Sequence, residues 1–199
     1  QYMCESGYEE VRSKIAGWMN QKYKTSYGIN NIIMTNGVAG GLNMVLCALL
    51  NPGDEVLVFR PYYPAYIGFA ENWNGKIIEV DPGEDFQPDF EDLEGKITKR
   101  TKVVIVNSPH NPTGVIYTKE TATKISEILK SKQKEYGHDI CLLSDEPYRD
   151  LVYIEEKLPW WPDFYQNKLC HIHLANHYRW QESALVTLQF QQNLKTVKM

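Results

Sequence analysis

No part of this 199-residue chain is apolar for long enough to span a membrane: its longest apolar runs fall far short of the ~20 residues required. Clusters of lysine and arginine are missing too, and the net charge of -4 argues against nucleic acid as a partner. Cys4, Cys47, Cys141 and Cys170 show no paired spacing, so reduced thiols in a cytoplasm are the plain reading. No secretory signal opens the chain, which begins at Gln1 with no initiator methionine. There is no internal repeat and no linker-like composition. With 43% hydrophobic and 23% charged residues, the chain is globular, not disordered. Its length suits one α/β core and is too short for two domains of ordinary size.

What the chain does have is a pair of abrupt strand ends. Residues 103–106 are continuously β-branched, as in a strand buried on both faces. They run into Asn107-Ser108-Pro109-His110-Asn111-Pro112-Thr113-Gly114, a turn rich in proline and asparagine. A second apolar run, 140–143, ends in Ser144-Asp145-Glu146-Pro147-Tyr148. Open parallel sheets bind ligands just past such carboxyl ends.

The remaining segments alternate. A helical repeat covers 6–24, a short strand 32–34, and the glycine-rich stretch 35–41 leads into an apolar helix over 42–50. Strands are predicted at 55–59 and 76–80, with a helix between them to about Trp73. Residues 81–100 read as a polar surface excursion anchored by Phe86, Phe90 and Leu93, and 119–134 as an amphipathic helix. This order predicts an α/β fold, three layers of α/β/α around a mostly parallel sheet.

Taken singly, each polar residue has a bland explanation. Asp145 suits a turn or helix cap, Asn111 a turn opener, and Tyr62, Tyr63 and Tyr66 a core. Gly37 to Gly41 is neither the dinucleotide fingerprint nor a Walker loop, and alone says little about phosphate. In this order and spacing they are more specific. From Tyr2 to about Tyr153 the chain resembles the class I/II aminotransferases, the aspartate-aminotransferase-like group of fold-type I pyridoxal-phosphate enzymes. The resemblance rests on His110-Asn111-Pro112-Thr113-Gly114, on Ser144-Asp145-Glu146-Pro147-Tyr148 and on Asn51-Pro52-Gly53-Asp54 before a strand.

That resemblance implies pyridoxal 5'-phosphate as cofactor, with an amino acid and a 2-oxo acid as substrates. Asp145 would lie against the pyridine nitrogen and keep it protonated. Asn111 and Tyr148 would donate to the ring's phenolate oxygen, and Tyr63 would stack on the pyridine face. The amides of Val38 and Ala39 would hold the phosphate. Tyr2 would reach the phosphate of a neighbouring subunit, which implies a homodimer of the complete protein. His110 would be a supporting group. Residues 1–158 would form part of the cofactor-binding large domain, with the small carboxyl-terminal domain absent.

The family also needs a lysine about thirty residues past the aspartate, in a Ser-x-Ser-Lys run followed by Gly-x-Arg. None is present, so no catalytic residue is assigned, and residues 159–199 match nothing in the family. Reading Ile172 to Phe190 one base earlier, however, a permitted back-translation encodes YSLSKSLSLAGERIGYVAI, which restores both motifs. Its lysine codon straddles Ala175 and Asn176. A one-base loss near Asn167-Lys168 therefore accounts for the tail, which is expected to be poorly ordered beyond about Pro159 and to leave an unpaired sheet edge. His171, His173 and His177 have a spacing that suits zinc, but the shifted frame explains them as by-products. The expectation is a transaminase gene product with negligible activity as written. The alternatives are a non-catalytic remnant that keeps a cofactor-binding or dimerising surface, or a sibling lyase or synthase.

Overall fold

The computed structural model describes residues 5–153 and 158–165, and the backbone of 168–174 and 183–190. Its seven strands are β1 (Ile32–Asn36), β2 (Glu55–Phe59), β3 (Lys76–Val80), β4 (Thr101–Asn107), β5 (Cys141–Glu146), β6 (Lys168–Leu174) and β7 (Ser183–Phe190). They form one sheet in the order β1-β7-β6-β5-β4-β2-β3. Neighbours from β6 across to β3 are parallel, and β7 runs antiparallel to both β6 and β1. The mostly parallel α/β expectation holds.

Strand side chains alternate between faces, and here both faces are covered. On one, Leu57, Phe59, Val104, Val106 and Leu142 pack against the helices α4 (Phe90–Lys96) and α5 (Lys119–Tyr136). On the other, Val56, Val58, Val103, Ile105 and Leu143 meet α2 (Gly37–Leu49) and α3 (Ala65–Glu71). This double covering is why β4 is continuously apolar, and it makes the layers α/β/α. A third cluster seats α1 (Glu9–Tyr23) through Ala16 and Met19 against Ile32 and Trp160.

Local chemistry sets the helix ends. The Asp89 carboxylate accepts from the amides of Glu91 and Asp92 at the start of α4, and the Thr118 hydroxyl accepts from Thr121 at the start of α5. Gly137, at φ 72°, closes α5 in the left-handed conformation that glycine adopts without strain.

Three segments differ from the sequence reading. The helix expected over 42–50 begins earlier, at Gly37, so most of the glycine-rich stretch forms its first turns. Residues 81–100 are not only a surface excursion, because α4 lies within them and Leu93 is fully buried. Phe90, Leu93 and Ile97 recur at helical spacing, hidden among Glu91, Asp92, Glu94 and Lys96. The tail expected to lack order beyond Pro159 instead begins with buried Trp160, Trp161 and Tyr165, the last donating from its hydroxyl to the Ile140 carbonyl at 2.6 Å. A short helix, α6 (Trp161–Phe164), lies there, and the backbone beyond it supplies β6 and β7. The β5 edge is therefore paired, in register Asp145 to Ile172. Backbone pairing satisfies N–H and C=O groups whatever the side chains are, which is why an altered sequence does not by itself leave that edge bare.

Candidate active site

The site begins at the register of β4 against β5, where Asn107 and Asp145 are direct neighbours. Strand alternation points both toward the α2/α3 face, the same side as Ile105 and Leu143. Asn107 Nδ2 donates to the Asp145 carbonyl at 2.7 Å, and Asn107 Oδ1 accepts from the Asn111 backbone amide at 2.6 Å. One side chain thus fixes the strand end and the following turn together. The turn is closed by Gly114 N donating to the His110 carbonyl at 2.7 Å, with Gly114 at φ 75°.

Tyr66 comes down from α3, only 2% exposed, and its hydroxyl donates to Asp145 Oδ2 at 2.6 Å. Asp145 itself is 4% exposed, and its other oxygen, Oδ1, has no hydrogen-bond partner among the described residues. Burial pushes the Asp145 carboxyl up to about 6. The Tyr66 hydrogen bond opposes that rise and the neighbouring Glu146 charge adds to it. The Tyr66 phenol is driven well above its ordinary value by burial and then by Asp145, which keeps it a neutral donor.

Beside this pair lies a small cleft of about 10 Å³, lined among others by Phe59, Tyr62, His110, Asn111 and the Tyr66 and Asn107 that bond to Asp145. It is smaller than the ~300–1,000 Å³ of sites for drug-sized ligands. His110 is buried, its Nδ1 lies 2.8 Å from Thr113 Oγ1, and burial lowers its pKa against an opposing backbone hydrogen bond with Phe59. Burial thus favours the neutral form of an imidazole tied to its own turn.

The other sequence-predicted residues are more loosely gathered. Tyr63 is 41% exposed and meets Tyr66 edge-on, ring centroids 5.7 Å apart. Tyr148 is 38% exposed and close enough to Tyr66 to add to the rise in its pKa. Val38 and Ala39 lie in the first turn of α2, where amides have no carbonyl partner within the helix, and Asn36 ahead of them makes no side-chain cap. Tyr2 lies outside the described residues, as do Ala175, Asn176 and His177. Among the described residues, no lysine lines the cleft. Sequence reasoning gave no role to Tyr66 or to the Asn107 bridge. The only signal was spacing: Tyr66 follows Tyr63 by three residues on a helix, and Asn107 ends a buried strand.

A mostly parallel sheet whose strand ends converge on a buried carboxylate, one oxygen of it without a partner among the described residues, defines an α/β protein with a candidate site at its strand ends. The profile of the family described as aminotransferase class I and II matches residues 1–188, past the point where the motif resemblance ends. The chain belongs to that family. It is 37% identical over 158 residues to an aspartate aminotransferase of Sulfolobus acidocaldarius, covering 76% of this chain and 38% of the relative. It is 36% identical over 154 residues to an aspartate/prephenate aminotransferase of Thermus thermophilus, with the same coverage of 76% and 38%. Among solved structures, an amino transferase from Eubacterium rectale superposes with a TM-score of 0.88 at 33% identity, over 94% of this chain and 48% of that one. The chain thus spans well under half the length of these curated relatives. Among the described residues, no helix is long and apolar enough to cross a membrane.

Proposed function

We propose that the complete protein is a pyridoxal-phosphate-dependent aminotransferase exchanging an amino group between an amino acid and a 2-oxo acid. The observation that carries this is the open oxygen of Asp145. A buried carboxylate with an unfilled acceptor suits a protonated ring nitrogen, and the aromatic walls and Asn111 beside it suit a flat polar ring. When bound, a pyridoxal ring supplies the electron sink for bond changes at the substrate's α-carbon.

The chain's own residues divide the remaining work. Asp145 Oδ1 accepts from the ring nitrogen, and the cation brought there keeps the carboxyl ionised. The Asn111 and Tyr148 side chains donate to the ring's phenolate oxygen, and Tyr63 covers one ring face. The free amides of Val38 and Ala39 hold the phosphate through the positive end of α2. Tyr2 serves the neighbouring subunit of a homodimer, and the protein works in the cytoplasm.

This chain as written lacks the lysine needed to carry the cofactor covalently and move the proton. Losing positioned acid–base help alone costs about 10²–10⁴ in rate, so its activity is negligible. A one-base loss near Asn167 and Lys168 explains the tail. Pairwise alignments with relatives cover 76% of the chain while structural superposition covers 94% and the family model runs to residue 188, which supports a tail whose backbone follows the family. The recovered GYVAI run coincides with residues 186–190, inside β7.

Restoring the frame is the test. The chain as written should bind pyridoxal phosphate without borohydride trapping, and the restored chain should trap it and transaminate. Cofactor-independent behaviour of both chains would end the proposal. For the chain as written, the missing Ser-x-Ser-Lys run also favours a remnant that binds cofactor but does not turn over. Reading the gene across codons 165–180 decides whether the tail is native.

A further inference from the structure

The Asp145 carboxylate has two oxygens and, as a terminal sp³–sp² torsion, little intrinsic preference for how they face. Its backbone is fixed by the β4–β5 pairing and by Asn107 on its carbonyl, but neither constrains χ2. The one described contact that does is the Tyr66 hydroxyl on Oδ2, 2.6 Å long, within the range of charge-assisted O–H···O bonds. Tyr66 is itself immobilised. It packs in the α2/α3 core cluster, Tyr63 meets it edge-on, and Tyr62 lies near-parallel with centroids 6.4 Å apart.

We propose that Tyr66 is a positioning residue: by holding Oδ2 it turns Oδ1 toward the cleft, so that Asp145 presents a single, oriented acceptor to a ring N–H. This rests on the pyridoxal reading above and adds to it a residue that acts through Asp145. The titratable groups near this carboxylate are Tyr66 from α3 and Glu146 on β5, Asn107 from β4 holds the Asp145 carbonyl, and Tyr66 in turn is near Tyr117 and Tyr148.

The test compares two ligands on the full chain: pyridoxal 5'-phosphate, and its benzene analogue with C–H in place of the ring nitrogen. Phosphate and His110 titrations affect both alike and cancel in the ratio of their dissociation constants. The wild-type chain should favour the pyridine ligand by at least about 10-fold at pH 7, one charge-assisted bond at ~1.4 kcal/mol per factor of ten. Tyr66→Phe should leave the benzene analogue's affinity within about 2-fold and cut the preference below about 3-fold. A purely structural role would weaken both ligands equally, and an unchanged ratio overturns the proposal.

Asp145→Asn gives a second measurement with Tyr66 intact. The phenol then holds the amide oxygen, so the NH₂ group faces the cleft and favours an unprotonated ring. The preference for pyridine should grow as pH rises from 6 to 9, opposite to wild type. A flat or falling trend overturns the proposal. If wild type binds neither ligand, or binds both equally, the cofactor reading itself fails. If wild type discriminates and Tyr66→Phe discriminates equally, only the role of Tyr66 fails.

Discussion

Replacing Arg149 by methionine should come close to unfolding the protein, and the structure sets the size of the effect. Arg149 and Glu146 form an ion pair at 2.6 Å with side chains 8% and 0% exposed. The guanidinium also donates to the carbonyls of Pro159 and Leu158 at 3.0 and 3.1 Å, and sits 5.6 and 5.4 Å from the stacked rings of Tyr23 and Trp160. Methionine keeps much of the aliphatic volume but takes the guanidinium away from the buried Glu146 carboxylate, to which the Ser144 hydroxyl still donates. Breaking a buried pair from one side costs about 3–5 kcal/mol, and two lost carbonyl bonds add about 1 kcal/mol each. A total near 5 kcal/mol is a large share of the ~5–15 kcal/mol that holds a domain folded. With a urea slope of roughly 2–3 kcal/mol/M, the midpoint should fall by about 2 M. Trp160, which faces the guanidinium, reports the transition by fluorescence. Adding Glu146→Gln to Arg149→Met removes the stranded charge and should recover about half of the loss, a coupling that a double-mutant cycle isolates. A midpoint shift under about 0.3 M, or a double variant no better than the single one, would refute this reasoning.

Asp145 should make the cofactor-free chain less stable as pH rises. Its folded carboxyl sits at about 6 against an ordinary 3.8, so between those values the folded state holds a proton that the unfolded chain has released. The penalty grows through that window and is complete above it, about 3 kcal/mol at 1.36 per unit. Asp145→Asn should therefore raise the urea midpoint at pH 7.5 and change it little at pH 4; a loss at both values would contradict the buried, unpaired carboxylate. Leu93→Ala should cost about 2–5 kcal/mol in urea unfolding, whereas a cost near zero would return 81–100 to the surface.

How much of this was legible in the sequence depended on whether a residue's partner was local. Strands β2 and β3 occupy the expected 55–59 and 76–80, because continuous or near-continuous apolar runs bounded by Gly and Pro need no tertiary knowledge. The turn at His110 to Gly114 and the carboxylate at Asp145 were visible as motifs, and the site is built on them. The Tyr66–Asp145 bond joins residues 79 apart, and nothing in a tyrosine three residues past another announces it. Nor did the sequence reveal α4, since four charged residues mask its three anchors. The tail misled in the opposite direction. Its residues looked foreign and so its order was discounted, yet Trp160, Trp161 and Tyr165 are packed and the strands beyond are paired.

Strand β1 is joined to the rest of the sheet only by β7, Ile32 lying opposite Thr187. On the ribosome, at roughly 5–20 residues per second, the amino-terminal strand must wait on the order of ten to thirty seconds for the partner that seats it. During that interval it presents an open backbone edge of the kind that recruits other chains. A stop codon before Ser183 would make the wait permanent, and a shifted frame that still yields an extended, apolar run would end it. The yield of intact protein from this gene thus depends less on which residues occupy 183–190 than on whether they lie down as a strand.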